Sequence, residues 1–192
     1  MNSTNIMIVG VGGQGSLLAS KLLGRLLTDE GYDVKVSEVH GMSQRGGSVV
    51  TYVRYGEKVY SPIIDEGEAD FIVSFEFLEA ARYARFLKKG GKIIVNSQKI
   101  DPMPVITGAA AYPDSALDNL RAMGVDIDCE DALSIALTAG SAKAVNIVLM
   151  GRLSKYLPIP EKKWLEAIRN TVNPKFIEMN EKAFLLGRES TK

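Results

Sequence analysis

Two stretches of this sequence carry residue types spaced for chemistry. The first is Gly10-Val11-Gly12-Gly13-Gln14-Gly15, in which Gly10, Gly12 and Gly15 fit a G-x-G-x-x-G pattern. Glycine permits positive φ and close approach of backbone to a ligand, and a helix starting behind such a turn offers unpaired N–H groups to a phosphate. Glu38 follows Gly15 close to the ~20-residue distance expected of a ribose-binding acid. A tight strand-to-helix junction needs the same glycines for packing alone, and Glu38 is equally a strand end facing solvent.

The second stretch is Ser37-Glu38-Val39-His40-Gly41-Met42-Ser43-Gln44-Arg45-Gly46-Gly47-Ser48. It is polar and glycine-rich, and it follows a strand end, where open α/β sheets tend to bind ligands. Arg45 suits bidentate contact with a carboxylate or phosphate, with the backbone of Gly46 and Gly47 beside it. Ser43, Gln44 and Ser48 add neutral hydrogen-bonding groups. The alternatives are an Arg45 ion pair that holds the loop or a partner chain, and a structural His40 in place of an acid–base one.

The elements around these stretches follow from periodicity. Asn5 to Val11 reads as a buried strand, and Leu17, Leu18, Leu22, Leu23, Leu26 and Leu27 place a helix over Ser16 to Asp29, with Gly31 as its stop. Tyr32 to Val39 reads as a second strand. Ser48 to Arg54 and Lys58 to Ser61 then suggest a β-hairpin around Gly56. Further on, Ala69 to Ser74 is a strand, Phe75 to Leu87 a helix, Lys88 to Gly91 a turn and Gly91 to Asn96 a strand. Asp101 to Tyr112, with Pro102 and Pro104, reads as an extended edge segment. Pro113 to Met123 is a short helix and Val125 to Asp128 a strand.

From about residue 130 to 187 the chain reads as helical. Pro160 opens Glu161 to Val172, Asn173-Pro174 caps Lys175 to Leu186, and Gly187 closes the last helix. The expected fold class is α/β: an open, mostly parallel, Rossmann-like sheet with an inserted β-hairpin and a helical C-terminal part. Residues 1–192 are expected to form one domain.

Composition narrows the function classes. The formal net charge is zero, with 23 basic and 23 acidic residues, which gives no basic field for nucleic acid. The apolar run Ile135 to Met150 is too short for a bilayer and is broken by Lys143. No positively charged n-region precedes Lys21, so a cytoplasmic protein without membrane contact is expected. One cysteine, Cys129, and one histidine, His40, cannot alone supply a four-thiolate cluster or a tetrahedral zinc site. Cys129 reads as a half-buried small residue.

The two chemical stretches together resemble a specific family. Val9-Gly10-Val11-Gly12-Gly13-Gln14-Gly15 is similar to the G-x-G-G-Q-G start of the gamma domain of 2-oxoacid:ferredoxin oxidoreductases. Arg45-Gly46-Gly47 running into Ser48-Val49-Val50 and Arg54 is similar to that family's R-G-G strand start. Glu38 through Gly47 looks most like the family's indolepyruvate branch, since pyruvate-type relatives tend to place Gly-Pro-Glu ahead of the R-G-G. The likeness continues through Ser61-Pro62-Ile63-Ile64, Ala69-Asp70, Glu76 to Ala80, Ala144-Val145-Asn146 with Gly151, and Asn180 to Phe184 with Gly187.

What the resemblance implies is an accessory subunit of a complex that decarboxylates indolepyruvate and other aryl pyruvates oxidatively to the acyl-CoA, with reduction of ferredoxin. Thiamine diphosphate and iron–sulfur clusters would be held by a larger partner chain, with none held by this one. Gly10, Gly12, Gly13, Gln14 and Gly15, with Ser43, Gln44, Arg45, Gly46 and Gly47, would form its cofactor-contacting set, coenzyme A being the molecule touched. No residue matches a catalytic or metal-ligating position. Asn146 would cap or bridge the loops on that side. An isolated chain would be inactive and free to form a homodimer. The alternatives are a gamma subunit for pyruvate or branched-chain 2-oxoacids and a stand-alone Rossmann oxidoreductase binding NAD or FAD.

Overall fold

The computed structural model describes residues 3–39 and 47–190. Its centre is β1 (Thr4–Val11), because that strand is apolar on both faces. Ile6 and Ile8 enter one core, Met7 and Val9 the other, and all four are fully buried. A strand buried on both sides belongs in a covered α/β sheet. The glycine turn leads into α1 (Ser16–Asp29), where Leu22, Leu23, Leu26 and Leu27 are buried. Burial of each contributes about 2 kcal/mol. Gly31 then takes φ +87° and the chain turns into β2 (Asp33–Val39).

Six strands form the sheet in the order β2-β3-β1-β4-β5-β6. β4 (Ala69–Ser74), β5 (Leu87–Asn96) and β6 (Asp126–Glu130) extend it from β1 in parallel. β3 (Ser48–Gly56) runs antiparallel between β2 and β1, in register Val39↔Val50 and Val9↔Val50. The open, mostly parallel sheet is as expected. The hairpin is not the expected one, because β3 pairs back onto β2 and Lys58–Ser61 forms no strand. With β1 and β2 on its two sides, β3 has no ladder edge left for that segment. Val59 N–H instead donates to the Asp33 carboxylate at 3.0 Å.

Three further expectations concern the other half of the sheet. The helix expected over Phe75 to Leu87 is α2 (Phe77–Tyr83) continued by a 3-10 turn at Ala84–Phe86, and it starts at Phe77 because Glu76 caps it by accepting from Glu79 N–H at 2.9 Å. The expected turn Lys88 to Gly91 is present as an interruption inside β5: Ala69 pairs with Leu87 and Phe71 with Lys92, and Gly90 between them takes φ +79°. Gly91 is also required by space, since a Cβ there would sit 2.9 Å from the Asp70 carbonyl oxygen. Asp101 to Tyr112 is not an extended edge: Pro102 starts the short α3 (Met103–Ile106), and α4 (Ala116–Ala122) follows. β6 occupies the edge of β5 that this segment would have needed.

The helical C-terminal part comprises α5 (Ala132–Ala139), α6 (Val145–Ser154), α7 (Glu161–Thr171) and α8 (Ile177–Glu189). These helices and α1 cover one sheet face, while α2 and α4 cover the other. Every residue of α6 is buried. Asn173 caps the approach to α8 as expected, accepting from Lys175 N–H at 3.0 Å. Gly187 does not close the last helix. It lies within α8, where a Cβ would sit 2.3 Å from the Val148 carbonyl oxygen, and Gly151 meets the Phe184 carbonyl oxygen at 2.2 Å in the same way. The two glycines let the backbones of α6 and α8 touch.

Candidate functional site

The site lies at the carboxyl edge of the parallel strands, where β1 has β3 on one side and β4 on the other. Such a switch in the direction of chain travel opens a crevice outside the strand ends. The glycine turn stands there, with Gly13 at φ +100° and Gly15 at φ +89°. Gly10 is required by space: a Cβ there would meet Gln14 Oε1 at 2.8 Å and Phe75 Cβ at 2.9 Å.

Gln14 closes the turn with its own side chain. Its Oε1 accepts from Val11 N–H at 2.8 Å, and its Nε2 donates to the Phe75 carbonyl at 3.1 Å. Asn96, fully buried at the end of β5, donates to the same carbonyl at 3.1 Å and accepts from Ala132 N–H at 3.2 Å. One carbonyl thus gathers the ends of β1, β4 and β5. Gln98 joins them, its Oε1 lying 3.4 Å from Gln14 Nε2.

Gly12 N–H donates to the Gly47 carbonyl at 2.8 Å, which fixes the start of β3 against the turn. Among the described residues no side chain caps α1. Apart from Leu18 N–H, which donates to the Gly15 carbonyl at 3.2 Å, its first-turn N–H groups are donors available to an anion. Clefts open on both sides of this helix start. One, of about 280 Å³, is lined by Gly12, Gly13, Ser16, Leu17 and Thr51. The other, of about 430 Å³, is lined by Gln14, Gln98, Leu133 and Lys143.

Of the residues expected at the site, Gly10, Gly12, Gly13, Gln14, Gly15 and Gly47 come together at this edge. Ser43, Gln44, Arg45 and Gly46, with His40, lie outside the described residues. Glu38 accepts from Ser20 Oγ at 2.7 Å, so its carboxylate ties β2 to α1. Asn146 bridges as expected, donating to the Gly15 carbonyl at 3.2 Å. Cys129 is half-buried against the core beneath α4. Sequence reasoning missed Gln98, Asn96 and Lys143. The first two sit at the carboxyl end of a parallel strand, a position that could have pointed to them. Lys143 carried no local sign beyond interrupting an apolar run.

Glu76 and Glu79 hold the rim behind the turn. Glu76 accepts from Ile100 N–H at 3.0 Å and from the Tyr112 hydroxyl at 2.6 Å, so one buried carboxylate fastens both ends of the segment carrying α3. Burial and that bond to Glu76 push the Tyr112 phenol far above its ordinary range. Glu79 accepts from Ser48 Oγ and from Arg82, which ties α2 to the start of β3.

Comparison with known proteins bears on what this edge serves. A family model described as pyruvate ferredoxin/flavodoxin oxidoreductase matches residues 5–190. The indolepyruvate oxidoreductase subunit IorB of Thermococcus kodakarensis is 46% identical, over 100% of this chain and 98% of that protein. The IorB subunit of Pyrococcus horikoshii is 44% identical over the same shares of the two chains. Among solved structures, 2-oxoglutarate:ferredoxin oxidoreductase from Magnetococcus marinus superposes with a TM-score of 0.75 at 19% identity. The match covers 98% of this chain and 31% of that one, which shows the fold.

Proposed function

Since this chain belongs to the pyruvate ferredoxin/flavodoxin oxidoreductase family, we propose that it is the small subunit of an indolepyruvate oxidoreductase complex. The complex would decarboxylate indolepyruvate and other aryl pyruvates oxidatively to the acyl-CoA and pass the electrons to ferredoxin. The observation that carries this reading is the 46% identity to an indolepyruvate oxidoreductase subunit over essentially the whole of both chains.

The residues of this chain do not fit an iron–sulfur cluster. The sequence has one cysteine, whereas a cluster normally takes four thiolates. Among the described residues no group of three or more His, Cys, Asp or Glu is placed to hold a metal. We therefore assign thiamine diphosphate and the clusters to a larger partner chain, which supplies the carbanion and one-electron chemistry. Among the described residues no helix is long and apolar enough to cross a membrane, and we place the complex in the cytoplasm.

This chain's own part is to bind and position. The first-turn N–H groups of α1, held open by Gly10, Gly12, Gly13, Gln14 and Gly15, suit an anionic group such as the phosphates of coenzyme A. Gly47 is held against Gly12 at the same edge. Ser43, Gln44, Arg45 and Gly46, which lie outside the described residues, are proposed as the rest of the contacting set, with Arg45 making a bidentate contact to that anion or to the partner chain.

Anaerobic purification of the tagged chain from its native host tests the reading. A second polypeptide, thiamine diphosphate, iron and indolepyruvate-dependent dye reduction should co-elute. Faster reduction with pyruvate would move the complex to the pyruvate branch. A chain that elutes alone with NAD or FAD bound would overturn the subunit reading.

A further inference from the structure

A third cavity, of about 500 Å³, lies away from the glycine turn, where the start of α1 meets the α5–α6 and α7–α8 connections. Its size is within the range of small-molecule sites. The apolar walls are Leu18, Val172, Phe176 and Met179. Met179 lies beside Gly140, whose φ of +125° ends α5 and on which a Cβ would sit 3.6 Å from Met179 Cγ. Phe176 stands at the rim, half exposed, in the turn that leads into α8.

The polar lining residues are Ser141, Lys143, Thr171, Asn173 and Asn180. Lys143 is exposed and lies on the ridge shared with the cleft beside Gln14, and no carboxylate among the described residues pairs with it. Asn180 is 6% exposed, and its Nδ2 donates to the Phe176 carbonyl at 2.7 Å, which turns its amide group into the lining. Thr171 Oγ1, also in the lining, is buried without a hydrogen-bond partner. An unpaired buried polar atom of this kind is costly unless something arrives to satisfy it.

We propose that this cavity binds a small aromatic carboxylate, with its ring between Leu18, Phe176 and Met179 and its carboxylate on Lys143. Charge decides the sign of the ligand, since Lys143 is the charged group among the described residues that line the cavity. The aromatic ring beside a methionine thioether favours a flat, polarisable body over a flexible chain. Asn180 Oδ1 and Thr171 Oγ1 supply an acceptor and a donor to a ring N–H or a ligand oxygen. The choice of an aryl acid accords with the subunit reading above but does not depend on it, because it follows from the lining alone.

The test is calorimetric titration of the full chain, and separately of its assembled complex, with indole-3-acetate, octanoate and neutral indole as probes. Indole-3-acetate is expected to bind one site saturably and at least tenfold more tightly than octanoate. Lys143→Met should weaken it tenfold or more and leave neutral indole unchanged, and Phe176→Ala should weaken both indoles. Both side chains are exposed, so the variants should melt like wild type, and a circular dichroism melt checks this. No saturable binding, or equal affinity in Lys143→Met, overturns the proposal. So does binding by the free chain that vanishes in the complex, because a partner chain then fills the cavity. Turnover of indolepyruvate in the same preparation reports on the subunit reading separately.

Discussion

Asn146 donates from Nδ2 to the carbonyl of Gly15 at 3.2 Å, across 131 residues of sequence. The same amide nitrogen sits 2.9 Å from where a Cβ on Gly15 would be. The first turn of α6 is thereby fastened to the start of α1, and the glycine at position 15 is required by this contact as well as by its left-handed backbone.

Asn146→Ala is expected to destabilise the chain by about 1–3 kcal/mol, since Asn146 is 3% exposed and the Gly15 carbonyl loses its side-chain donor. Asn146→Asp should be worse at neutral pH, because it sets a carboxylate against a carbonyl oxygen. Urea unfolding at constant protein concentration measures both. Wild-type midpoints in the two variants would show that the bond contributes nothing.

Gly151 and Gly187 make a second pair of this kind. Alanine at either position forces a methyl against backbone oxygen at 2.2 or 2.3 Å, which only separation of α6 and α8 can relieve. Each single substitution should cost about 3 kcal/mol, at the upper end of overpacking. The double variant should cost less than the sum, since either change opens the same crossing. Thermal melts of the three variants decide it, and strict additivity would mean that the two contacts are independent.

The amide of Gln14 both accepts and donates, so Gln14→Glu separates the two roles. A carboxylate still accepts from Val11 N–H but repels the Phe75 carbonyl. A protonated carboxyl donates again. The loss relative to wild type should therefore be about 1–2 kcal/mol near pH 7 and shrink near pH 4. A loss independent of pH would place the cost in the turn and not in the donor.

At the far end of α6, Arg152 is 3% exposed and holds the Asp128 carboxylate through Nε, at 3.2 Å, and a second guanidinium nitrogen. Tyr156 donates to Asp128 at 2.8 Å, and Glu130 lies 3.3 Å from Arg152. Burial alone would raise the Asp128 pKa, but the bonds from Arg152 and Tyr156 outweigh it and hold the pKa below its ordinary value. A carboxylate depressed in the folded state contributes stability above its unfolded pKa of about 3.9 and loses it as pH falls through the folded one.

Asp128→Asn should accordingly cost about 3 kcal/mol at pH 7, where Arg152 is left buried with a weaker partner, and less at pH 3. Asp128→Leu with Arg152→Met should be milder than Asp128→Leu alone. Unfolding curves at the two pH values check both statements. An Asp128→Asn loss that grows toward acid would reverse the sign of the argument.

The sequence by itself determined the features whose physics is local. The two-sided burial of Ile6, Met7, Ile8 and Val9, the leucine spacing of α1 and the left-handed glycines 13 and 15 are settled within a few residues of each other. They placed the strand, turn and helix of the candidate site at their observed positions. The ordered motifs also carried the family, because each records a local backbone demand. Tertiary structure decided what depends on distant partners. β3 pairs with β2 and β1 and not with Lys58–Ser61, since strand pairing is a choice among edges that sequence does not rank. Gly187 reads as a helix stop until α6 lies against it. Gln98, Asn96 and Lys143 became neighbours of the glycine turn only once parallel strands brought their carboxyl ends to one edge and α6 was seated beside α1.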